Sequence, residues 1–351
     1  MAANVQAFRE IALRPRMAMK VPRPDLATTV LGTPLRLPVL LAPCGLTRLM
    51  HPEGAAGAAR AAGAAGTVSI LSTVAGTAPE DLSGIAGPRW FQLYAADRDT
   101  AVALIDRAGA AGFGGLMVTV DTPALGKRER DLRNGVAPPL RLDARSAIRL
   151  GSQVLSRPRW TASMGLAGVK FKRRSATNPP GSGPSPSFPN PLSPAGKVAM
   201  GASPFSWDDV SWLRSRWTGP LVVKGVMSGD DAALAADAGA DCVVVSNHGG
   251  RQLEGAPATI RVLPEVVEAA GKRVAVLVDG GVRRGADVVK AMALGACAVL
   301  IGRPYLYGLA IAGQAGVERI LAILEEEMER TLILMGCPGL GELDGSWLQP
   351  T

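Results

Sequence analysis

The sequence is poor in the residues that usually indicate metal binding, disulfide bonding or stacking on nucleic-acid bases. It contains 2 histidines, 4 cysteines and 4% aromatic residues. The cysteines are far apart and show no paired spacing, which argues against a zinc site or a disulfide framework and favours reduced thiols in a cytosolic protein. They are Cys44, Cys242, Cys297 and Cys337.

The sequence also lacks long apolar runs and runs of basic residues. Its longest apolar stretches are interrupted by Gly, Pro or charged residues well short of the ~20 residues that span a membrane. The segment from Met1 to Glu10 is mixed and polar, so no signal peptide is indicated. The net charge of +8 is spread along the chain, which favours anionic ligands and argues against nucleic acid as a partner. We expect a cytoplasmic protein, and attachment to the inner membrane surface stays open.

Length and composition fit either one large α/β domain or two smaller domains. Hydrophobic residues make up 47% of the sequence and charged residues 19%, so the chain can bury a large core. The small aromatic share leaves this core mainly to Ala, Val, Leu and Ile. Composition does not choose between the two architectures, since an α/β barrel of ~250 residues or more also forms a single unit.

Apolar, β-branched runs alternate with Ala-rich helical stretches through most of the chain. The predicted strands are residues 38–42, 67–71, 90–94, 115–120, 220–224, 241–246, 274–278 and 296–301. The predicted helices include residues 53–65, a short helix near Pro79, a helix capped by Asp97 or Asp99 that ends at Ala111, residues 230–238, a stretch after Leu263, and residues 285–294. Eight strand-and-helix units in unbroken order favour a closed (β/α)8 TIM barrel, one domain over residues 1–351, rather than an open sheet.

Three segments depart from this alternation. Residues 121–205 show no regular pattern, and residues 178–204 are dense in Pro, Ser and Gly. We therefore predict a long mobile loop, or lid, after the fourth strand. Before the first strand, residues 4–37 are interpreted as a short leader followed by a small hairpin around residues 29–34. Near the other end, the periodic pattern of residues 316–335 predicts a helix that closes the domain.

Residues 242–260 carry the clearest chemical signal. A β-branched run ends in Ser246-Asn-His-Gly-Gly-Arg251, so polar residues follow a strand that is buried on both faces. The carboxyl ends of such strands are where α/β folds place their sites. His248 offers a proton acceptor and Arg251 a fixed positive charge, which suits an anionic substrate that loses a proton. The alternative is a Gly-rich turn in which both side chains bond backbone groups.

Polar or glycine residues also follow most of the other predicted strands. They are Pro43-Cys44-Gly45, Ser72-Thr73, Gln92, Tyr94, Thr119, Asp121, Lys224, Asp279-Gly280-Gly281 with Arg283, and Gly302-Arg303. Because the carboxyl ends of parallel barrel strands meet at one rim, a single site would collect all of them.

The glycines after the last two strands suggest a phosphate site. Gly280-Gly281 and Gly302 each stand between a strand and a helix, where glycine lets backbone N–H groups approach a phosphate. Arg283 or Arg303 would add positive charge, and barrels often bind phosphate after their seventh and eighth strands. Tight packing at strand-to-helix turns is the alternative explanation.

Four further side chains have both a chemical and a structural interpretation. Lys224 ends an apolar strand, so its ammonium either meets a polar or anionic partner on the rim or extends to solvent. Asp121 either orients and charge-stabilises His248 or caps the next segment. His51 stands where a helix begins and is interpreted as structural. Nothing in the sequence around Cys44 supports a nucleophile.

Several of these motifs together resemble the FMN-dependent α-hydroxy-acid dehydrogenase and oxidase family, which includes L-lactate dehydrogenases, glycolate oxidase and mandelate dehydrogenase. The most specific motif is Ser246-Asn-His-Gly-Gly-Arg-Gln-Leu-Glu-Gly-Ala-Pro257, where Asp is commoner in the family than Glu254. The others are Trp90-Phe-Gln-Leu-Tyr94, Thr119-Val-Asp-Thr-Pro123, Lys127-Arg-Glu-Arg-Asp131 with Arg133-Asn-Gly135, Val223-Lys-Gly225, Asp279-Gly-Gly-Val-Arg283-Arg-Gly285 and Ile301-Gly-Arg-Pro304. The match runs from about Ala7 to Met335 and looks most like the L-lactate dehydrogenase branch.

The resemblance implies how a substrate would be bound. His248 would be the catalytic base, with Asp121 as its partner. Arg251 and Arg128 would hold the carboxylate of the substrate, and Tyr94 would bond to its oxygen.

The resemblance also implies FMN as the cofactor, without a metal. Lys224 would lie near the flavin ring and stabilise its reduced, anionic form. The residues implied for the ring or ribityl chain are Ser72, Gln92, Thr119 and Ser246. Those implied for the ribityl and phosphate end are Asp279, Gly281, Arg283, Gly302 and Arg303.

Three positions depart from the family pattern. The chain begins after the helical segment that usually carries a substrate-binding tyrosine, and Tyr94 is its first tyrosine. Either the start is truncated or substrate binding differs. Cys44 stands where Thr is more common. Val74 stands where some members have a bulky aromatic residue, so we expect a roomier pocket.

We expect oxidation of an (S)-2-hydroxy acid, lactate-like, to the 2-oxo acid by an FMN-dependent enzyme. Oxygen, a quinone or a redox protein would take the electrons, and the resemblance implies a homo-oligomer of the tetramer type. One alternative is an oxidase that uses oxygen, and another is a flavoenzyme that tailors a larger natural product or peptide. Whether His248 removes the α-proton or the hydroxyl proton stays open.

Overall fold

Eight parallel strands form a closed barrel in the computed structural model, which describes residues 1–95, 97–124, 126–127, 129, 133, 151, 156–158, 160–162 and 205–349. An antiparallel hairpin of β1 (Thr28–Val30) and β2 (Thr33–Leu35) precedes it. The barrel strands are β3 (Val39–Leu41), β4 (Ser69–Ser72), β5 (Arg89–Leu93), β6 (Gly115–Thr119), β7 (Leu221–Val226), β8 (Cys242–Val245), β9 (Ala275–Asp279) and β10 (Ala298–Ile301). Each pairs with the next, and β10 pairs with β3. The predicted (β/α)8 TIM barrel is confirmed.

Alternate residues of each strand fill two separate apolar layers. In β8, Cys242 and Val244 belong to the layer inside the barrel, whereas Val243 and Val245 pack in the layer beneath the helices. All four side chains are buried. Since successive side chains of a strand point to opposite faces, a strand covered on both faces reads as an uninterrupted β-branched run. This is why the strands could be located from the sequence.

Helices surround the barrel and connect its strands. They are α1 (Ala2–Glu10), α2 (Thr47–Met50), α3 (Gly54–Ala64), α4 (Arg98–Ala110), α5 (Trp207–Arg216), α6 (Gly229–Asp237), α7 (Thr259–Ala270), α8 (Gly285–Ala293) and α9 (Arg303–Met335), with 3-10 turns at Pro79–Leu82, Leu340–Glu342 and Gly345–Trp347. Asp97 is the N-cap of α4, where its carboxylate accepts a hydrogen bond from the Thr100 N–H at 2.7 Å.

Two segments differ from the sequence interpretation. The leader is in part a helix, because Asn4, Ala7 and Phe8 form a buried face at helical spacing. Helix α7 begins at Thr259, earlier than predicted, and contains Pro264. Burial of Ile260 fixes its first turn against the barrel despite the hydrogen bond that the proline cannot donate. Most of the predicted lid, residues 121–205, lies outside the described residues.

Helix α9 is longer than the predicted residues 316–335 and is divided by a kink. Ala312 and Gly313 have non-helical backbone angles, and the Glu53 carboxylate accepts a hydrogen bond from the Gln314 N–H at 2.6 Å, where the second half begins. By length and composition alone α9 could cross a membrane. Its buried side chains instead pack in the core, among them Leu309, Val317, Leu321, Leu324, Met328 and Leu332. These contacts are those of a barrel helix.

The two halves of α9 touch at glycine, which predicts a steric limit. A Cβ on Gly316 would lie 1.9 Å from the Gly308 carbonyl oxygen, so we expect Gly316→Ala to lower the unfolding free energy by about 1–3 kcal/mol. Gly109→Ala is the matched control, since a Cβ there meets only Trp217 at 3.8 Å and alanine favours the helix. Denaturant unfolding compares the two variants. A Gly316→Ala variant that is as stable as Gly109→Ala would contradict the predicted clash.

Candidate active site

A cavity of about 360 Å³ opens at the carboxyl ends of the barrel strands. Its walls come from the loops after β3, β4, β5, β6, β8, β9 and β10 and from the end of β7, so side chains far apart in sequence meet there. The lining residues that the sequence predicted are Ser72, Tyr94, Lys224, His248, Arg251, Asp279, Gly281, Arg283, Gly302 and Arg303. The expected convergence of strand ends on one rim is confirmed.

The other predicted site residues lie beside this lining or outside the described residues. Gln92 Oε1 accepts a hydrogen bond from Ser72 Oγ at 2.7 Å. Ser246 Oγ accepts one from Lys224 Nζ at 2.7 Å. Thr119 is paired in register with Lys224 on the neighbouring strand. Arg128 is not among the described residues.

His248 and Asp121 form a pair across two loops. His248 Nδ1 lies 3.2 and 3.3 Å from the two carboxylate oxygens of Asp121, so Nδ1 carries the proton and donates it. Nε2, on the other edge of the ring, is then left as an acceptor. His248 has a φ of 57°, an uncommon conformation for a residue with a Cβ, and its N–H donates to Ser246 Oγ at 3.1 Å.

The surroundings of Asp121 keep it ionised. Burial raises the pKa of its carboxyl group, but the hydrogen bond from His248 and the positive charge of Lys224 outweigh burial and bring the pKa below its usual value. The pair is therefore a carboxylate facing an imidazole N–H. Such a carboxylate orients the ring and stabilises the imidazolium that forms when Nε2 takes a proton.

Lys224 is a buried cation beside two carboxylates. It is 4% exposed, and its Nζ lies 3.0 Å from Asp279 Oδ2. Burial alone would lower the pKa of the ammonium, but the charges of Asp279 and Asp121 raise it above its usual value. Lys224 thus keeps a fixed positive charge at the wall of the cavity rather than extending to solvent.

Tyr94 presents a neutral hydroxyl to the cavity. The residue is 7% exposed, and burial raises the pKa of the phenol to about 12 despite the opposing charge of Lys224. Its O–H is therefore available as a hydrogen-bond donor at any ordinary pH.

Positive charge and glycine backbone gather along another part of the cavity wall. Burial lowers the pKa of Arg303, and the charges of Arg251 and Arg283 lower it further, so the three guanidinium groups are close enough to interact. Gly280 and Gly281 have φ values of 86° and 104°, the left-handed region that glycine adopts without strain. A cluster of like charges beside a glycine backbone is suited to a phosphate.

Several buried polar atoms have no partner among the described residues. At this site they include Asp279 Oδ1 and Gln92 Nε2, whose amide oxygen bonds the lining residue Ser72, and others, such as those of Arg89 at the start of β5, lie away from it. Since buried polar groups are almost always hydrogen-bonded, such atoms around one cavity indicate a polar ligand. FMN fits this arrangement: its ring and ribityl chain carry donors and acceptors, and its phosphate suits the arginine and glycine wall.

Cys44 and His51 take structural roles in this geometry. Cys44 lines the cavity, and burial raises the pKa of its thiol, which leaves it neutral. His51 is not among the lining residues, and its Nδ1 accepts a hydrogen bond from the Glu53 N–H at 3.3 Å. Both observations agree with the sequence interpretation that neither residue is chemically active.

The sequence interpretation missed a buried amide pair behind the His248 loop. Asn4 Nδ2 donates to Asn247 Oδ1 at 2.8 Å, and Asn247 Nδ2 donates to Asn4 Oδ1 at 2.9 Å. The two residues are 243 positions apart. In the sequence, the helical spacing of Asn4 and Phe8 was the sign that α1 has a buried face, but it does not identify Asn247 as the partner.

Comparison with known proteins gives matches over the whole chain. The family model described as FMN-dependent dehydrogenase matches residues 1–350. L-lactate oxidase of Nostoc sp. is 43% identical, with 98% of this chain and 88% of the relative covered. Pre-mycofactocin synthase of Mycolicibacterium smegmatis is 41% identical, with 97% and 85% covered. The crystal structure of the monotopic membrane protein (S)-mandelate dehydrogenase matches with a TM-score of 0.87 at 35% identity, covering 100% of this chain and 91% of that one.

The motifs, the barrel, the FMN-compatible cavity and these similarities agree with one another. The chain belongs to the FMN-dependent dehydrogenase family of 2-hydroxy-acid oxidases and dehydrogenases, oxidoreductases that act on CH–OH groups.

Proposed function

We propose that the protein oxidises an (S)-2-hydroxy acid, with lactate-like substrates preferred, to the corresponding 2-oxo acid. The observation that carries this proposal is the His248–Asp121 pair at the mouth of a cavity that Arg251 also lines. A base beside a fixed cation can take a proton from a substrate while its carboxylate is held in place.

Arg251 would bind the substrate carboxylate, because a guanidinium group matches two carboxylate oxygens with parallel N–H donors. Arg128 would assist it, as the family resemblance implies. Tyr94, held neutral with its O–H available, would donate to the substrate's oxygen. Together these contacts would hold the α-carbon and its hydroxyl group before His248.

His248 would act as the base through Nε2. The proton it takes is either the α-proton or, if the α-hydrogen leaves with its electrons, the hydroxyl proton. Asp121 stays ionised beside Nδ1 and would stabilise the resulting imidazolium. A correctly placed general base typically contributes about 10²–10⁴-fold to the rate.

FMN, when bound, supplies the two-electron sink for this oxidation. Gln92, Thr119, Ser72 and Ser246 would bond the ring or ribityl chain, and Lys224 would hold positive charge near the ring. The residues proposed for the ribityl and phosphate end are Asp279, Gly281, Arg283, Gly302 and Arg303.

Family membership does not decide the substrate or the electron acceptor. The similar proteins are named as an oxidase, a dehydrogenase and a synthase. Val74 lines the cavity where some family members have a bulky aromatic residue, which supports a larger substrate as the second candidate. Oxygen, a quinone or a redox protein would accept the electrons.

Assembly and location stay predictions. We propose a homo-oligomer in the cytoplasm, with peripheral attachment at the inner membrane surface as a further possibility. The similarity to a mandelate dehydrogenase described as a monotopic membrane protein supports that possibility.

Substrate class is tested by reducing the flavin without oxygen. The purified, yellow enzyme is mixed anaerobically with glycolate, (S)-lactate, (R)-lactate, (S)-mandelate and longer 2-hydroxy acids, and bleaching of the flavin absorbance is followed. We expect (S)-lactate or a close analogue to bleach it fastest and the R form to fail. Oxygen or a quinone is then admitted, and rapid reoxidation by oxygen favours an oxidase. A colourless protein that does not take up FMN would overturn the proposal.

His248→Gln tests the base. We expect the variant to bind FMN with unchanged absorbance and to lose flavin reduction by about 10²–10⁴-fold, because the amide cannot take a proton at neutral pH. His51→Gln is the matched control and should keep most of its activity. Unchanged turnover in His248→Gln would refute the role of this residue.

Asp121→Asn tests the charged pair through stability. Because the folded-state pKa of Asp121 lies below its unfolded value, the carboxylate stabilises the fold above an unfolded pKa of about 3.9, and this contribution disappears as the pH falls through the folded pKa. We expect Asp121→Asn to cost about 1–3 kcal/mol at pH 7, with the difference from the parent chain narrowing below about pH 4.

Denaturant unfolding at a series of pH values, with excess FMN, measures this difference. The control is Asp106→Asn, an exposed position on α4 where the substitution should stay within about 0.5 kcal/mol. A difference for Asp121→Asn that grows as the pH falls would contradict the assignment.

A further inference from the structure

The pairing of His248 with Asp121 joins two loops that are 127 positions apart in sequence. The loop after β6 carries Asp121, and the loop after β8 carries His248 and Arg251. The Asp121 carboxylate lies 3.2 Å from the imidazole nitrogen, and this hydrogen bond tolerates little displacement, because it weakens steeply as its distance and angle depart from the optimum. The pair therefore depends on how the two loop backbones lie relative to each other.

Gln252, the residue after Arg251, makes that contact. Its Nε2 donates to the carbonyl oxygens of Asp121 and Ala124, both at 2.9 Å. Its Oε1 accepts a hydrogen bond from the Gly126 N–H at 3.4 Å. The nitrogen and the oxygen of one side-chain amide thus bond Asp121, Ala124 and Gly126, all of which follow β6.

Glycines let the backbones approach closely around this contact. A Cβ on Gly126 would lie 2.2 Å from the Arg251 carbonyl oxygen, so only glycine permits the two loops to meet there. On the other side of Asp121, a Cβ on Gly225 would lie 2.7 Å from the Asp121 Cβ, and Gly225 has a φ of 112°. Asp121 is therefore enclosed between β7 and the His248 loop. The side chain of Gln252 joins the loop after β6 to the loop after β8 through hydrogen bonds.

We propose that Gln252 is a positioning residue: its amide fastens the loop after β6 to the loop after β8 and so sets the geometry in which Asp121 orients His248. This inference rests on the proposed function, in which His248 is the base. Gln252 is not among the described residues that line the cavity. It acts through the carbonyl of Asp121 and through the backbone that it shares with Arg251.

Gln252→Leu removes all three hydrogen bonds while keeping a side chain of similar size. We expect the limiting rate of anaerobic flavin reduction to fall by about 10–100-fold, since a misplacement of about 1 Å in a catalytic group can cost 10²-fold. FMN binding should change little, because the proposed cofactor contacts lie elsewhere. Gln252→Glu should lose at least as much, because it sets a carboxylate against two carbonyl oxygens.

A spectroscopic readout separates positioning from mere stability. The chain has 2 histidines, so histidine labelled with ¹⁵N gives two sets of ring signals, and His248→Gln assigns them. In the FMN-loaded protein we expect both Gln252→Leu and Asp121→Asn to shift the Nδ1 signal of His248 and to leave the His51 signals unchanged. This measurement needs no substrate, so it stands even if no 2-hydroxy acid reduces the enzyme.

Gln314→Leu is the matched control. Gln314 is a partly buried amide at the α9 kink, where it donates to Glu318 at 2.7 Å and accepts from Arg60 at 2.6 Å. The Gln314→Leu variant should have a lower thermal midpoint, with the His248 signals and the rate of flavin reduction unchanged. If Gln252→Leu fails to fold, the shorter Gln252→Asn, which cannot reach all three partners, replaces it. Unchanged His248 signals in a folded Gln252 variant, or equal shifts in Gln314→Leu, would overturn the proposal.

Discussion

Closure of the barrel between its last and first strands is the constraint on which the site depends. The Val299 N–H donates to the Pro38 carbonyl and the Ala42 N–H donates to the Ile301 carbonyl, both at 2.9 Å, across about three quarters of the chain. Because all eight barrel strands run in the same direction, this closure brings their carboxyl ends to one rim. The cavity wall accordingly takes Cys44 from one side of the seam and Gly302 from the other. An open sheet would have left them at opposite edges.

Positive charge inside this rim is paired with a carboxylate in one part and gathered next to other positive charges in another. Lys224 is buried but meets Asp279, so the cost of removing an ammonium from water is offset by a nearby carboxylate. Arg303 instead meets other positive charges: burial lowers its pKa, and the charges of Arg251 and Arg283 lower it further. Such repulsion is relieved when an anion binds. The contrast separates a wall whose positive charge is paired with a carboxylate from a wall where positive charges lie together.

Backbone strain also occurs in the loop that carries His248. His248 adopts a positive φ that is unfavourable for a residue with a Cβ, and such conformations persist only where surrounding contacts impose them. On one side of His248, Asn247 is tied to Asn4 and to the Pro257 carbonyl. On the other side, Gln252 is tied to the Asp121 segment. Hydrogen bonds thus hold the chain on both sides of His248.

The sequence by itself determined the strands, most of the helices and the residues at the rim. These follow from local rules: a buried parallel strand is a β-branched run, and polar or glycine residues at its end stand out against it. Only the tertiary structure decided that α1 is a helix locked through Asn4, that α9 is kinked beside Glu53, and that Gln252 ties two loops together. Each of these depends on partners more than 120 positions away, and a hydrogen bond between distant segments leaves no periodic trace in either of them.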